Sequence, residues 1–302
     1  MPDIALIKKR INSTENTRKI TRAMQLVAAN KMKTFQRKAL AARAYAWALL
    51  DGLKQAHASF RDVEFGIRRY TGPVLFVLLT SDKGLCGALN TRLVESLFSS
   101  ERWKSAPADQ RMLVTVGRKS LEAARRRKIP ITQSFEGLQE SMTPFESLDI
   151  INEILGYWER KECREIVLVS PHYVNAFVIH VTEKTYLPFN ADMIVSHLRW
   201  RDPEIAKTED HAQILKSQYI YYEPGEDEVV DVLSLQLAQT IFVQAFFELK
   251  ASEYSSRMVS MKKATEAADE MISNFTLDYN KARQSLITQQ LAELVAGSEA
   301  LA

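Results

Sequence analysis

Glycine and proline are scarce in this chain. Its 302 residues include ten Gly and nine Pro, below the usual fractions of about 7% and 5%. Residues 3–65 contain no Pro and one Gly, Gly52, and residues 226–302 contain no Pro and one Gly, Gly297. Because the turns of a compact domain favour these two residue types, the composition excludes two compact domains of equal size.

Cysteines and long apolar runs are also few. Cys86 and Cys163 are the only cysteines, which excludes a disulfide framework, and they do not form a Cys-x-x-Cys pair. The N-terminus does not have the pattern of a signal or transit peptide. Apolar runs such as Val74–Leu79 are far shorter than the roughly 20 residues of a membrane helix. We therefore expect a protein that is soluble, or peripheral to a membrane through a partner.

Charge is distributed unevenly along the chain. Residues 1–43 hold eleven Lys or Arg and two Asp or Glu, whereas residues 225–302 hold six and twelve. Opposite charge favours association of the two ends and gives the molecule a basic terminus suited to acidic partners. Two solvated helix faces explain the same asymmetry equally well.

The N-terminal segment has the heptad pattern of a long helix. A 3.5-residue register from residue 4 to residue 60 contains seventeen positions, of which thirteen are apolar. The four exceptions are consecutive: Thr14, Arg18, Thr21 and Gln25. Ile20, Met24 and Val27 form a second stripe there, which predicts that the helix changes its packing partner over this stretch.

The C-terminal segment repeats the pattern, with thirteen apolar positions out of seventeen between residues 233 and 289. Because a compact middle joins the two ends, an antiparallel pair is the simplest geometry. At 1.5 Å per residue, helices of this length would span roughly 80–105 Å. No globule of this mass is that wide, so we expect part of the pair to project as a rod.

The middle of the chain has the pattern of a small α/β domain. The run Val74–Leu79 indicates a strand that is buried on both faces. Strands alternating with helices favour a mostly parallel sheet, and residues 199–215 are predicted to form an exposed linker. Strands are predicted at residues 73–80, 112–116, 165–170, 177–186 and 219–222, and helices at 88–98, 120–127 and 145–161.

The fold class is therefore α/β, with a long antiparallel coiled coil of N- and C-terminal helices plus a small Rossmann-like α/β domain. The predicted units are an N-terminal helix over residues 1–65, a central domain over 72–222 and a C-terminal helix over 226–300.

No credible catalytic constellation is present. The Gly84-x-x-Gly87 loop follows a strand and opens a helix, as phosphate-binding loops do, but it lacks the further glycine or the Gly-Lys-Ser/Thr of the known motifs. The five histidines show no metal-ligand spacing, and no cofactor is expected. The basic run 125–128 has no neighbouring aromatic residues and is better explained as a solvated face than as a nucleic-acid site. The sequence therefore favours the long helices as the functional part of the chain.

Three stretches resemble the γ-subunit family of F-type ATP synthases. Residues 11–32 (INSTENTRKITRAMQLVAANKM) are similar to its N-terminal signature, and residues 80–90 (TSDKGLCGALN) to its central loop. Residues 251–265 (ASEYSSRMVSMKKAT) and 279–291 (YNKARQSLITQQL) are similar to its C-terminal signature. The stretches occur in the family's order and spacing.

The resemblance implies a central rotor shaft. In this family the paired helices thread a ring of three α and three β subunits, and the α/β domain sits beside ε on a membrane ring of c subunits. Proton flow turns the shaft, whose asymmetry drives the catalytic β sites through different nucleotide affinities. The resemblance further implies one copy of the chain per complex, with no catalytic site on it and no nucleic acid bound. It also implies a peripheral position on the cytoplasmic face of a bacterial inner membrane.

The resemblance also suggests subunit contacts. Met24, with Arg22 nearby, matches the place where the shaft faces an acidic β loop. Other family contact positions correspond to Arg257, Arg283, Gln284, Thr288 and Glu293. Gln290 and Ala292 depart from the family pattern, which more often has Glu and Thr there.

Two other functions are compatible with parts of the sequence. A coiled-coil scaffold or adaptor unrelated to ATP synthesis explains the heptads and the charge asymmetry, but not the joint occurrence of the N- and C-terminal signatures. A nucleotide-dependent enzyme would use the loop at 81–90.

Overall fold

The computed structural model describes residues 4–56, 63–137, 144–198, 222–223 and 225–299. It divides into two compact units, one formed by Met1–Ala29 with Arg257–Ala302 and the other by Asn30–Ser256. The helices are α1 (Ile4–Gln55), α2 (Leu89–Ser99), α3 (Glu101–Ser105), α4 (Arg118–Arg126), α5 (Pro144–Glu159), α6 (Ala191–Leu198) and α7 (Glu226–Glu299). The strands are β1 (Val74–Leu79), β2 (Arg111–Val116), β3 (Gln133–Phe135), β4 (Glu165–Tyr173) and β5 (Ile179–Leu187).

The second unit is built on a five-stranded sheet with the order β3-β2-β1-β4-β5. Strand β1 pairs in parallel with β2 and β4, β2 pairs in parallel with β3, and β5 runs antiparallel to β4. All six residues of β1 are buried, as a continuous apolar run in a doubly covered strand predicts. The prediction of a mostly parallel sheet is confirmed.

Three short elements were not predicted: α3, β3 and α6. Strand β3 has three partly exposed residues and is defined by its pairing with β2, a contact that periodicity along the chain does not reveal. The predicted linker at 199–215 lies outside the described residues, as does most of the predicted strand at 219–222.

Helix α1 ends at Gln55, earlier than the predicted end at residue 65. Phe65 lies instead in a short 3₁₀ turn, Glu64–Gly66, and its ring is 6.2 Å from that of Phe189. Phe65 therefore packs with the second unit's α/β domain and does not extend the long helix.

Within the second unit, α1 and α7 pack together and run in opposite directions. The ring of Phe35 stacks on Tyr254, with centroids 5.6 Å apart and planes 10° apart. Further along α1, a side chain added at Gly52 would touch Leu233 at 3.5 Å. Residues later in α1 thus meet residues earlier in α7, which confirms the antiparallel helix pair.

The first unit contains another antiparallel pairing of α1 with α7. Arg18 forms an ion pair with Asp269 at 2.9 Å, and the hydroxyls of Thr21 and Thr265 are 2.8 Å apart. The predicted change of packing partner near Thr21 is wrong, because the heptad seam continues there through polar pairs. Ile20, in the predicted second stripe, is instead 60% exposed.

Helix α7 is the one helix in the described part of the chain that is long and apolar enough to cross a membrane by length and composition. Half of its most apolar window, with a mean hydropathy of 1.5, is buried inside the protein. Phe242 and Phe246 are almost fully buried there, and the Tyr186 hydroxyl donates a hydrogen bond to the Ala238 carbonyl at 2.6 Å. Core packing accounts for this apolar character.

Candidate functional site

The segment that follows β1, the main candidate for a phosphate site, packs against the start of α4. The backbone N–H of Arg118, at the start of α4, donates to Asp82 Oδ1 at 2.9 Å. The next two N–H groups donate to the Ser81 carbonyl at 3.2 Å and to Thr80 Oγ1 at 2.8 Å. The N–H donors at the start of α4, which could otherwise bind a phosphate, are therefore already paired with this loop.

Gly117 has a structural role next to this loop. Its φ is +97°, a conformation that L side chains rarely adopt, and a Cβ there would overlap the Thr80 carbonyl oxygen. The glycine thus permits close approach of two backbone segments within the protein. Among the described residues, no group of three or more His, Cys, Asp or Glu could hold a metal ion.

Both cysteines are buried and poorly suited to act as nucleophiles. Cys86 is 2% exposed and Cys163 is 1% exposed. Burial raises the pKa of Cys163 to about 12, whereas a reactive cysteine needs an accessible thiolate. Asn90 Nδ2 donates to Cys86 Sγ at 3.2 Å, which places this thiol in the packing of the loop.

The seven proposed contact residues all belong to the first unit. Met24 is half-buried and Arg257 is buried, with 7% exposure. The other five are exposed on the helices: Arg22, Arg283, Gln284, Thr288 and Glu293. Thr288 Oγ1 donates to the Gln284 carbonyl one turn earlier at 3.0 Å, so its hydroxyl is engaged within the helix.

The same unit exposes many large apolar side chains, a feature that the sequence did not predict as a set. They are Leu6, Ile20, Leu26 and Val27 on α1, and Met271, Leu277, Leu286, Ile287, Leu291, Leu294 and Val295 on α7. From Arg283 to Val295 every side chain is exposed. The difference in helix length is the feature that could have revealed this surface, because α7 has 74 residues and α1, which pairs with it, has 52. Apolar surface of this extent indicates an interaction with other proteins.

The second unit contains a buried ionic cluster centred on Glu248 of α7. Glu248 Oε1 accepts from Arg43 of α1 at 2.8 Å, and Oε2 lies 2.8 Å from Nδ1 of His172 on β4. Gln244 Nε2 donates to the same carboxylate at 3.1 Å. Burial alone would raise the pKa of Glu248, but the hydrogen bond and charge of His172, together with Arg43, lower it. This carboxylate therefore links both long helices to the sheet.

His197 provides a pH-dependent contribution to stability. Its Nε2 donates to the Thr185 carbonyl at 2.7 Å, and burial, together with the charge of Lys184, lowers its pKa from 6.5 to about 4. Between these values the unfolded chain binds the proton more readily, so the free energy of unfolding falls as the pH drops through that window. We expect a loss on the order of 3 kcal/mol at the acid end, measured by urea unfolding at several pH values.

A His197→Gln variant supplies the control. It keeps an amide donor for the Thr185 carbonyl and has no group that titrates in this window. Its free energy of unfolding should vary less between pH 6.5 and pH 4 than that of the original chain. An equal pH dependence in both proteins would contradict the assignment.

Comparisons with known proteins cover the whole chain. A family model described as ATP synthase matches residues 3–301. The chain is 32% identical over 314 residues to the ATP synthase gamma chain of Rippkaea orientalis, covering 100% of both. It is 33% identical over 297 residues to that of Desulfitobacterium hafniense, covering 98% of each.

Solved structures share the fold. A chain of the Euglena gracilis mitochondrial ATP synthase, in an assembly of OSCP, F1 and c-ring, superposes with a TM-score of 0.66 at 16% identity, covering 99% of this chain and 94% of that one. A central stalk and c-ring structure of the Tetrahymena thermophila mitochondrial enzyme gives 0.56 at 23% identity, covering 81% and 99%.

Proposed function

The chain belongs to the ATP synthase gamma-chain family, and from that premise we propose that it is the central rotor shaft of an F-type ATP synthase. The shaft couples proton flow through a membrane ring to conformational cycling of the catalytic β subunits. The observation that carries this proposal is the exposed apolar surface of the paired helices in the first unit, in a chain that matches the family from end to end.

The long helices have the properties that a rotating shaft needs. Helices α1 and α7 contain no proline, and their glycines, Gly52 and Gly297, lie near an end of each helix. An uninterrupted helix transmits twist because every backbone N–H within it is bonded to a carbonyl four residues earlier. The seam between the two helices in the first unit adds side-chain contacts, such as Arg18 with Asp269.

The surface of the first unit supplies the asymmetry that coupling requires. Exposed basic side chains such as Lys19 and Arg22 lie on α1 close to exposed Ile20, whereas α7 carries a longer series of exposed apolar residues. Rotation of unequal faces presents a different surface to each surrounding subunit. A shaft shifts a conformational equilibrium only through such differential contacts, so each orientation stabilises a different β conformation.

The proposed partners are three α and three β subunits around the helices, with ε and the c-ring at the α/β domain. Each complex contains one copy of the chain, which lacks a catalytic site of its own and binds no cofactor. It is peripheral to the membrane through its partners, on the cytoplasmic face in a bacterium. The bacterial relatives support this location.

Reconstitution tests this function directly. Mixing the full chain with α and β subunits is expected to yield an ATPase-active complex with one copy of this chain per three of each partner. Absence of such a complex would rule out the rotor assignment and favour the scaffold alternative. Equilibrium dialysis of the isolated chain with ATP and ADP tests the nucleotide-enzyme alternative. Micromolar binding would support that alternative.

Met24→Lys is expected to reduce coupling between proton flow and ATP turnover. Met24 is half-buried, one turn beyond exposed Ile20, and the proposal places it opposite an acidic β loop. An added attraction of about 1.5 kcal/mol would stabilise one orientation over the others by roughly tenfold. The measurement is ATP-driven proton pumping per ATP hydrolysed, with Met24→Leu as the uncharged control. Normal coupling in the lysine variant would argue against this contact.

A further inference from the structure

The second unit has a basic cleft that the rotor function leaves unexplained. It measures about 640 Å³ and lies where strands β1 and β4 begin, at the sheet edge opposite the loop at 81–87. Arg68, Arg69 and Tyr70 lead into β1, and Arg164 immediately precedes β4. Arg102 and Lys184 complete the basic lining, and Glu165 and Glu183 are its acidic members. The cleft thus has an excess of positive charge.

Two of these arginines have structural partners. Arg69 donates to the carbonyls of Trp158 and Cys163 at 2.6 and 3.3 Å, so it satisfies backbone groups around the C-terminus of α5. Arg102 donates to Thr185 Oγ1 at 2.9 Å and pairs with Glu165 at 3.5 Å. These contacts within the protein account for the positions of Arg69 and Arg102.

Arg68 and Arg164 are different. Arg68 is exposed and Arg164 is half-buried, and among the described residues neither side chain has a hydrogen bond or ion pair. Held close to two other arginines in one concave site, they create a positive potential that favours an anion. Guanidinium groups bind phosphate through paired N–H donors.

The rim of the cleft indicates where the anion comes from. Tyr70 is 85% exposed and Ile67 is 40% exposed, on the segment that carries Arg68. An exposed tyrosine and an apolar residue beside arginines are typical of a surface that meets the interface of a bilayer. A soluble anion would not require these two side chains to face solvent.

We propose that this cleft binds the phosphate group of an anionic phospholipid, with Arg68 and Arg164 as its main donors. The inference goes beyond the rotor function and does not depend on it. Binding to lipid is measured on the full chain alone, so a failure here leaves assembly with α and β subunits untouched, and the reverse also holds.

Vesicle flotation tests the site. The probes are vesicles of phosphatidylglycerol mixed with phosphatidylcholine, compared with pure phosphatidylcholine. A basic residue near an anionic surface contributes roughly fivefold in affinity, so the Arg68→Gln, Arg164→Gln double variant should bind the anionic vesicles about twenty-five-fold more weakly. Its thermal unfolding should be unchanged, since neither side chain has a partner among the described residues.

The matched control is Arg125→Gln with Arg126→Gln, which removes the same charge from exposed positions at the end of α4. It should bind the vesicles nearly as well as the original chain. An equal loss in both double variants would overturn the proposal, because general attraction to the basic chain would then explain binding. If the chain bound inorganic phosphate or glycerol 3-phosphate but not the vesicles, the proposal that the bound phosphate belongs to a lipid would be overturned.

Discussion

Replacing Glu248 with alanine is expected to lower the free energy of unfolding by about 3–5 kcal/mol, the range for breaking a buried ion pair by removing one partner. Arg43 and His172 would remain buried without this carboxylate, each with about 7% side-chain exposure. The backbone N–H of Tyr173 would also lose an acceptor at 3.3 Å. The loss therefore combines the removal of a buried ion pair with the removal of an acceptor for a backbone N–H.

Denaturant unfolding of the full chain measures this effect, and Asp269→Asn is the control. Asp269 also forms an ion pair with an arginine of α1, at 2.9 Å, but its side chain is 55% exposed. Exposed pairs contribute about 0–1 kcal/mol, so the control should be nearly neutral. Similar losses in the two variants would show that the buried position of Glu248 is not what makes it important.

Removing residues 288–302 is expected to weaken assembly with the α and β subunits by at least about a hundredfold, while the chain itself stays folded. The deletion takes away the exposed side chains of Leu291, Leu294 and Val295. Truncating an interface side chain that carries binding energy costs more than about 1 kcal/mol, and three such losses exceed a factor of one hundred. The rotor proposal supplies the surface on which these residues pack.

The fold should survive this deletion because the side chains of residues 288–295, the part of the segment whose burial is described, are all exposed. Every side chain from Arg283 to Val295 is exposed, so circular dichroism and the unfolding midpoint should be nearly unchanged. Gel filtration of mixtures with α and β subunits measures assembly. A deletion of 300–302 alone is the control. Full assembly of the longer deletion would show that this end of α7 is dispensable.

Much of the fold was predictable because its signals are local. The heptad positions of α1 and α7 and the apolar run of β1 each repeat within a few residues, and the structure confirms these elements. The γ-subunit resemblance was also present in contiguous stretches.

Contacts between distant parts of the chain were not predictable in this way. The polar positions Arg18 and Thr21 interrupt the apolar heptads, and only their pairing with Asp269 and Thr265 shows that the seam continues. A polar residue at a heptad position means a break if it lacks a partner and a specific contact if it has one. The sequence around it does not distinguish these cases.

The amino-acid sequence by itself determined two long helices and a mostly parallel sheet between them, because hydrophobic periodicity is visible along the chain. Only the tertiary structure decided which charges are buried together and which remain open. Glu248 meets Arg43 across 205 residues, and Arg68 reaches the same cleft as Arg164. The strength of a charge interaction is set by burial and pairing, and both depend on neighbours that are distant in the sequence.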